Sequence, residues 1–205
     1  MHQQNKKDLS AYLMNNYARF FKELQEPNNL CDAFFVIAPN DSFLHFINHL
    51  KTDAFLSFTM LMSICCVDYP NRDKRFELIY SFLSLKHNIR LLVKLQIEEN
   101  EMLSSISKIY HNSSWYEREI WDMYGILFSN HDDMRRILTD YGFVGHPMRK
   151  DFPLTGYCEV SYNNNSVMSA NVSLKYDFRD FNLQSRNNVE VLPGDEKALN
   201  QENKQ

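Results

Sequence analysis

Several signatures that would assign this 205-residue chain to a class of enzyme are missing from its sequence. It has no phosphate-binding loop, dinucleotide fingerprint, nucleophile elbow or His-Glu-x-x-His motif. It also has no Cys-x-x-Cys pair, which argues against an iron–sulfur or zinc site built from its four cysteines, Cys31, Cys65, Cys66 and Cys158. The simpler interpretation is that these cysteines are buried free thiols in a reducing compartment. Cys65 and Cys66 are adjacent in an apolar stretch, so they should point to opposite faces of a strand.

Long apolar runs and excess positive charge are also missing. The longest uncharged apolar run, residues 55–67, is shorter than the ~20 residues that a membrane-spanning helix needs. A formal net charge of -4 is unfavourable for binding nucleic acid, which favours a basic face. The first residues resemble neither a signal peptide nor a transit peptide. We therefore expect either that the chain is made where it works or that a leader is missing from the sequence.

The hydrophobic pattern predicts an α+β fold, with helices on one face of a mixed sheet in a two-layer domain over residues 1–112. The clearest element is Ile89–Glu98, where alternate apolar residues predict a strand with one covered face and one wetter face. The other predicted elements are a helix over Leu9–Leu24, a strand at Ala33–Ala38, a helix capped by Asp41, strands at Met60–Tyr69 and Arg75–Leu85, and a helical stretch over Met102–Ile109.

Residues 113–156, which we call the docking region, differ from the rest of the chain. Both tryptophans and four of the five glycines lie there, which indicates backbone shapes that other residues do not adopt easily. After it, residues 157–186 are predicted to form a hairpin with an Asn-rich turn and an extended C-terminal arm. Residues 187–205 are almost entirely polar and are predicted to be a mobile tail.

A short capped helix is predicted at the start of the docking region. Ser114 and Glu117 have the spacing of a capping box, and Gly125 stands where the helix would end in a left-handed turn. An apolar back is predicted from Tyr116, Ile120, Met123 and Tyr124, and a charged front from Trp115, Arg118, Glu119 and Asp122. Since Trp and Arg often anchor interfaces, this pattern is typical of a contact surface.

The rest of the docking region admits two interpretations. Prolines stiffen it and glycines let it bend sharply, so it suits a rigid segment that loses little entropy on docking. Alternatively, His146 could act as a base, with Glu119, Asp140 or Asp151 as acids, although their spacing matches no known catalytic motif. A helical His45–His49 pair could hold a metal, but it has no third ligand nearby in sequence.

The stretches EREIWDMYGI, RRILTDYGF and GHPMRKDFPLTG resemble the signature of the thirty-kilodalton subunit of respiratory complex I, NADH:ubiquinone oxidoreductase. In mitochondria that encode it, this family is called NADH dehydrogenase subunit 9. The likeness extends over most of residues 9–183. The residues that we assign to the signature and to partner docking are Trp115, Glu117, Arg118, Glu119, Trp121, Asp122, Gly125, Arg135, Arg136, Asp140, Tyr141, Gly142, Phe143, Gly145, His146, Pro147, Arg149, Lys150, Asp151, Phe152 and Pro153.

The resemblance implies a hydrophilic, non-catalytic subunit of the peripheral arm, on the matrix side of the mitochondrial inner membrane or the cytoplasmic side in bacteria. It implies no metal and no cofactor in this chain, because other subunits bind NADH, flavin, iron–sulfur clusters and ubiquinone. The implied partners are the forty-nine-kilodalton subunit and other peripheral-arm subunits. Nucleic acid is not among the expected partners, and contact with the membrane is expected only through the complex.

Three features depart from the family pattern: Asp132 stands where a proline is usual, Val144 where an acid is usual, and the polar end lacks an aromatic tail. Frequent Asn, Lys, Phe and Tyr, together with the absence of a leader, favour a gene in an A+T-rich mitochondrial genome. Two alternatives are a homologous subunit of a membrane-bound hydrogenase or plastid plastoquinone reductase, and a free-standing hydrolase that uses His146.

Overall fold

We describe a computed structural model of the chain, which covers residues 2–25, 33–154, 156–157, 159–163 and 166–170. The helices are α1 (His2–Tyr17), α2 (Asn40–Thr52) and α3 (Ser113–Tyr124), with a 3-10 turn at Ala18–Phe20. The strands are β1 (Glu23–Gln25), β2 (Ala33–Ala38), β3 (Met60–Asp68), β4 (Phe76–Ser84), β5 (Ile89–Ile97), β6 (Leu103–Ser104), β7 (Phe128–Ser129), β8 (Glu159–Asn163) and β9 (Ser166–Ala170).

The main sheet has five strands in the order β1-β2-β5-β4-β3. β2 and β5 are parallel, whereas β1–β2, β5–β4 and β4–β3 are antiparallel. The parallel pair exists because α2 carries the chain away from β2, and a parallel neighbour needs such a crossover. The predicted α+β fold with a mixed sheet is therefore confirmed.

One face of the sheet forms the core. On β5, alternate residues from Ile89 to Ile97 are buried, as the period of two predicted. The helices pack on the same face, since Phe43 of α2 contacts Tyr80 and Tyr124 of α3 contacts Phe76. The predicted strands at β2, β3 and β4 are confirmed to within one or two residues at each end.

Two predictions about the first helices are wrong. α1 ends at Tyr17 rather than at Leu24, because the chain turns there and β1 pairs with β2. Asp41 is not the cap of α2: the helix begins at Asn40 after Pro39, and no side chain caps it. Asp41 lies in the first turn, where its negative charge is still favourable for the helix dipole.

The helix predicted over Met102–Ile109 is also wrong. β6 lies there and pairs in parallel with β7, followed by a hydrogen-bonded turn in which the N–H of Tyr110 donates to the carbonyl of Ile106. Ile106 is fully buried, so its apolar character reflects the core rather than a helical stripe. A short apolar stretch is ambiguous between the two structures.

The two described cysteines point to opposite faces of β3, as predicted. Cys66 is buried and Cys65 is exposed, so the expectation of buried thiols holds for Cys66 and is wrong for Cys65. Burial raises the pKa of the Cys66 thiol, which therefore remains protonated. Cys31 and Cys158 lie outside the described residues.

The chain divides into two compact units, Met1–Phe152 and a second that begins at Pro153. In the second unit, β8 and β9 pair as the predicted antiparallel hairpin. The predicted arm and tail beyond Ala170 lie outside the described residues. The functional division at residues 112, 156 and 186 stays a prediction. Among the described helices, none is both long enough and apolar enough to cross a membrane.

Candidate docking site

The helix α3 organises the docking region. It ends at Gly125, whose φ of 80° is left-handed and whose N–H donates to the carbonyl of Trp121, as predicted. The predicted capping box is wrong: Asn112 precedes the helix without a side-chain cap, and Ser114 lies inside it. The carboxylate of Glu117 turns instead into the core and accepts from the N–H of Ile106 at 2.9 Å.

The last four carbonyls of α3 all accept hydrogen bonds from the chain that follows. The N–H of Gly125 donates to the carbonyl of Trp121, and Nδ1–H of His146 donates to that of Asp122. The N–H of Met148 donates to the carbonyl of Met123, and Nε–H of Arg149 donates to that of Tyr124 at 2.6 Å. These are the groups that a helix cannot satisfy internally. The positive charge of Arg149 also complements the negative end of the helix dipole. The docking region is therefore wrapped around the end of α3.

Asp122 is the centre of this arrangement. Its side chain is fully buried, and one carboxylate oxygen accepts from three successive backbone N–H groups, those of Ile137, Leu138 and Thr139, at 2.8 to 3.1 Å. The other oxygen accepts from Arg136 at 2.7 Å and from the Thr139 hydroxyl at 2.5 Å. Successive N–H groups form an anion-binding concavity, and here a carboxylate of the same chain fills it.

Arg136 and Arg118 tie the segment to itself. Arg136 donates to Asp122 and to the carbonyl of Gly145 at 3.1 Å, and its guanidinium lies 5.7 Å from the Phe143 ring centre and 5.4 Å from that of Trp121. Arg118 donates to the carbonyl of Arg135 at 3.1 Å. Both side chains therefore serve internal bonds.

A second anchor joins the segment to the sheet through Asp68, the last residue of β3. Its buried carboxylate accepts two hydrogen bonds from Arg75, at 2.8 and 2.9 Å, and one from the N–H of Lys150 at 2.8 Å. Arg75 also pairs with Asp151 at 3.0 Å, and Arg149 pairs with Glu99 at 2.7 Å. Charge-assisted bonds thus hold residues 149–151 against the ends of β3, β4 and β5.

Gly145 provides the close approach that the bend needs. Its φ is +104°, and a Cβ at this position would lie 2.7 Å from Cε2 of Phe152. Phe152 packs on Phe143 with ring centres 5.9 Å apart. The two rings therefore pack against each other within the segment.

Glu117 and His131 form a separate buried pair. The carboxylate of Glu117 accepts from the Ser105 hydroxyl at 2.5 Å and lies 3.9 Å from His131 Nε2. His131 Nδ1 accepts from the N–H of Asp133, so the proton of the neutral ring is on Nε2. Nε2 then cannot take a proton from Ser114, although the hydroxyl is 3.1 Å away. This geometry does not support a serine nucleophile.

The structure gives His146 a bonding role rather than an acid–base geometry. Its Nδ1–H donates to the carbonyl of Asp122 at 3.0 Å, and its other nitrogen lies against Gly125. Asp151 pairs with Arg75, and the bond seen for the His146 ring in the described residues goes to a backbone carbonyl rather than to Glu119, Asp140 or Asp151. Within the described residues, no group of three or more His, Cys, Asp or Glu residues could hold a metal ion.

The predicted charged front of α3 requires correction. Asp122 is buried under residues 136–139, and Glu117 is buried on the other side. Trp115 and Glu119 remain exposed, and Arg118 is half-buried with its guanidinium 5.1 Å from the Trp115 ring centre. The outward surface is therefore smaller and less charged than the helical pattern suggested.

The rest of the outward surface is formed by the loop. Tyr141 is 86% exposed, Val144 83% and Leu138 64%. The other exposed signature residues are Arg135, Asp140, Gly142, Lys150 and Asp151. Trp121 and Pro147 are partly covered, as are Phe143, His146, Arg149 and Phe152, which make the internal contacts described above. Pro153 begins the second unit. Exposed apolar and aromatic residues in one loop are typical of a binding surface.

Sequence reasoning missed the anchors outside the docking region. Asp68, Arg75 and Glu99 hold the segment, and Leu138 and Val144 form part of its outer surface. The alternation in β3 contained a signal for Asp68, because it falls on the same face as the apolar Cys66 and Ile64. A carboxylate on the core-facing side of a strand needs hydrogen-bond donors that are buried with it.

We expect the stability of the docking region to decrease progressively as the pH falls below about 4. Burial alone would raise the pKa of Asp122, but the hydrogen bonds from Thr139, Leu138 and Arg136 lower it, and Arg75 lowers the pKa of Asp68. A lowered carboxyl pKa means that the unfolded chain binds protons more readily. The stabilisation that such a carboxylate gives the folded chain is therefore complete above its pKa in the unfolded chain, about 4. This stabilisation is lost as the pH falls below that value.

Urea unfolding of the whole chain between pH 7 and pH 3 measures this dependence. Asp122→Asn is the comparison, because it removes one titrating group at the same position. We expect a shallower loss of stability for the variant below about pH 4. If the variant and the unchanged protein lost stability equally as the pH fell, Asp122 would not be a source of the pH dependence. Glu117 contributes in the opposite direction, because burial raises its pKa.

Comparison with known proteins finds one family. Residues 36–158 match the family described as "Respiratory-chain NADH dehydrogenase, 30 Kd subunit". The chain is 46% identical over 173 residues to the C subunit of NADH-quinone oxidoreductase from Paramagnetospirillum magneticum, with 83% of this chain and 87% of the relative covered. The protein of the same name from Brucella ovis is 44% identical over 195 residues, covering 93% and 95%.

The Jannaschia sp. protein of that name is 52% identical over 157 residues, covering 75% of this chain and 76% of the relative. Among solved structures, a chain of the membrane-bound sulfane sulfur reductase, an archaeal respiratory membrane complex, aligns with a TM-score of 0.62. That alignment has 21% identity and covers 72% of this chain and 85% of the other. At this identity the likeness shows a shared fold.

Proposed function

Because the chain belongs to the family of the 30-kDa subunit of respiratory-chain NADH dehydrogenase, we propose that it is a structural subunit of the quinone module in the peripheral arm of NADH:ubiquinone oxidoreductase. In this role it assembles with the other subunits, the forty-nine-kilodalton subunit first among them. It supports electron transfer from NADH to ubiquinone by holding its partners in place. The redox cofactors belong to other subunits, and this chain supplies no catalytic residue.

One observation carries the proposal: the signature residues divide into an inner set that fixes the loop and an outer set that faces away from the domain. Internal hydrogen bonds engage the charged groups of Asp122, Arg136 and Arg149. Tyr141 and Val144 are consequently presented on a backbone that is held at both ends. A preformed loop of this kind loses little conformational entropy when a partner binds.

The chemistry of the outer surface favours a protein partner. Trp115 and Tyr141 offer large aromatic areas, and Arg135 is exposed in a pair with Asp133 at 2.8 Å. Trp, Tyr and Arg are the residues that most often dominate binding energy at protein interfaces. Val144, which departs from the expected family pattern, adds exposed apolar area to this surface.

We expect Arg149→Ala to reduce the amount of assembled complex without changing the activity of each complex that does assemble. The variant loses two of the bonds that hold the loop, one to the carbonyl of Tyr124 and one to Glu99, so the loop is held less tightly against α3. Gly145→Val should act in the same way, because its side chain would collide with Phe152. Native gels stained for NADH oxidation measure assembly.

Arg19→Ala is the matched control, since Arg19 is exposed and lies in the 3-10 turn, outside the docking region. It should assemble as the unchanged protein does. Normal assembly of Arg149→Ala combined with slower electron transfer per complex would contradict a structural role, because it would place this chain on the path of the reaction.

Membership of a complex is tested by gentle purification of the tagged chain from its native membranes, followed by a native gel and identification of the co-migrating proteins. Migration with a large NADH-oxidising complex that contains the forty-nine-kilodalton subunit is expected. Migration as a small free protein would overturn the proposal. Hydrolysis of an ester or phosphate by that free protein, lost in His146→Ala, would then favour the enzyme interpretation.

We place this complex at the matrix side of a mitochondrial inner membrane, with the gene in the mitochondrial genome. The support is compositional: the chain is rich in Asn, Lys, Phe and Tyr, as proteins encoded by A+T-rich genomes are. The relatives named above are bacterial or archaeal, so the alternative is a bacterial membrane with the chain on its cytoplasmic side. Locating the gene distinguishes the two sites, and a gene in nuclear or bacterial DNA would contradict our placement.

A further inference from the structure

A cluster of buried polar groups lies where the chain after β6 meets α3. Glu117 of α3 is fully buried, and its carboxylate accepts from the hydroxyl of Ser105 at 2.5 Å and from the N–H of Ile106 at 2.9 Å. The Ser105 hydroxyl is also 2.8 Å from that of Ser107, and both serines are buried. A carboxylate in such a place needs either a cation beside it or a proton, because an unpaired buried charge is costly.

No ion pair of Glu117 with a lysine or an arginine is seen among the described residues. The nearest basic group is His131, whose Nε2 lies 3.9 Å from the carboxylate. That nitrogen carries the ring proton and donates to Ser114, whose carbonyl is 3.2 Å away. Nδ1 accepts from the N–H of Asp133 at 3.0 Å, so a second proton on the ring would break this bond. His131 is therefore held neutral and does not balance a charge on Glu117.

The other titratable groups that we find around Glu117 in the described residues are uncharged too. Tyr80 of β4 and Cys66 of β3 lie on the core face of the sheet. Burial raises the pKa of the Tyr80 phenol, and the charge of Glu117 raises it further. Burial also raises the pKa of the Cys66 thiol. For Glu117 itself, burial raises the pKa, and the hydrogen bonds from Ser105 and Ile106 offset this only in part.

The hydroxyls of Ser105 and Ser107 can serve both states of the carboxyl group. A serine hydroxyl has one proton to donate and two lone pairs that accept. When Glu117 is ionised, Ser105 donates to it and accepts from the Ser107 hydroxyl. When Glu117 is protonated, it donates to Ser105, and Ser105 donates to Ser107. In both states the remaining lone pair of Ser105 accepts from the N–H of Ser107 at 3.1 Å. The change therefore requires only that two hydroxyl groups rotate.

We infer that Glu117 is a buried proton-binding site, in which the Ser105–Ser107 hydroxyl pair reverses its direction as the proton is bound or released. The proton comes from solvent and adds to the carboxylate oxygen that faces Ser105. Proton uptake removes a buried charge from the contact between α3 and the chain after β6, and so reinforces that contact. The site is a property of the folded chain and does not depend on the proposed place of the chain in a complex.

The proton should favour the folded chain at lower pH. A carboxyl group whose pKa is raised on folding gives stability that is complete below its pKa in the unfolded chain, about 4.3. This stability is lost as the pH rises through the pKa in the folded chain, which is the opposite of the behaviour of Asp122. Glu117→Gln imitates the protonated state, because an amide can donate to Ser105 and accept from Ile106. In urea unfolding, we expect this variant to lose less stability than the unchanged protein as the pH rises.

Carboxyl-carbon NMR of the full chain, with isotope-labelled glutamate, measures the site directly. The Glu117 signal is assigned by its loss in Glu117→Gln and by its correlations with the backbone, which do not require the variant to fold. We expect this signal to titrate at a higher pH in the folded chain than in the chain unfolded by urea. Titration of the folded chain at the same pH or at a lower one would overturn the inference.

Two serine variants test the hydroxyl pair and serve as controls for each other, because each removes one hydroxyl. Ser105→Ala removes a charge-assisted donor to the ionised carboxylate, so the titration of Glu117 should move to higher pH. Ser107→Ala leaves the Ser105 hydroxyl without its acceptor when Glu117 is protonated, so the titration should move to lower pH. Shifts in the same direction, or no shift in either variant, would overturn the reversal of the pair.

Discussion

Asp122→Ala is expected to destabilise the chain by about 3–5 kcal/mol, the usual cost of removing one partner of a buried ion pair. The substitution leaves the guanidinium of Arg136 and the N–H groups of residues 137–139 without their acceptor. It also leaves a cavity at the end of α3. The free energy of unfolding in urea at pH 7 measures the loss.

Asp133→Ala is the matched control, because it removes an aspartate of the same region whose pair with Arg135 is exposed. Exposed ion pairs contribute little to stability. We expect the control to unfold close to the unchanged protein. If the two variants lost the same stability, the buried carboxylate would not be the centre of the docking region.

Gly125→Val is expected to displace the docking region from α3. The valine would have to adopt a φ of 80°, which costs roughly 1–2 kcal/mol for a residue with a Cβ. Its Cβ would also lie 2.6 Å from the His146 ring, which a hydrogen bond to Asp122 holds in place. Both effects act at the residue where the helix ends. We therefore expect a lower free energy of unfolding and faster proteolysis within residues 126–152.

Gly142→Val separates this effect from a general intolerance of valine for glycine in the loop. No atom lies within 4 Å of a Cβ at Gly142, and its backbone is not left-handed. The control should therefore keep its stability and its resistance to protease. Similar sensitivity in both variants would indicate that the loop is loosely held, contrary to the bonds seen around His146 and Arg149.

The two glycines show how far sequence reasoning can reach. A glycine directly after a helical pattern predicts a left-handed end, and Gly125 has that conformation. Nothing in the local pattern distinguishes Gly145, with its φ of +104° and its contact with Phe152, from the unconstrained Gly142. The difference depends on which side chain reaches each site.

The charged residues of α3 show where local patterns mislead. Helical spacing placed Asp122 on an exposed front, because an acid on a helix is usually solvated. The structure buries it, because residues 14 to 17 positions later in the chain return with matching donors. Glu117 was assigned to a capping box for the same local reason, and its donors come from residues 11 and 12 positions earlier.

The sequence by itself determined the main strands, their buried face and the family signature. These follow from periodicity and from residue order, which are properties of contiguous segments. Only the tertiary structure decided which charges are buried and which aromatic residues face outward. The bond between Lys150 and Asp68 joins positions 82 residues apart. Such contacts depend on how distant segments pack, and local spacing does not encode that packing.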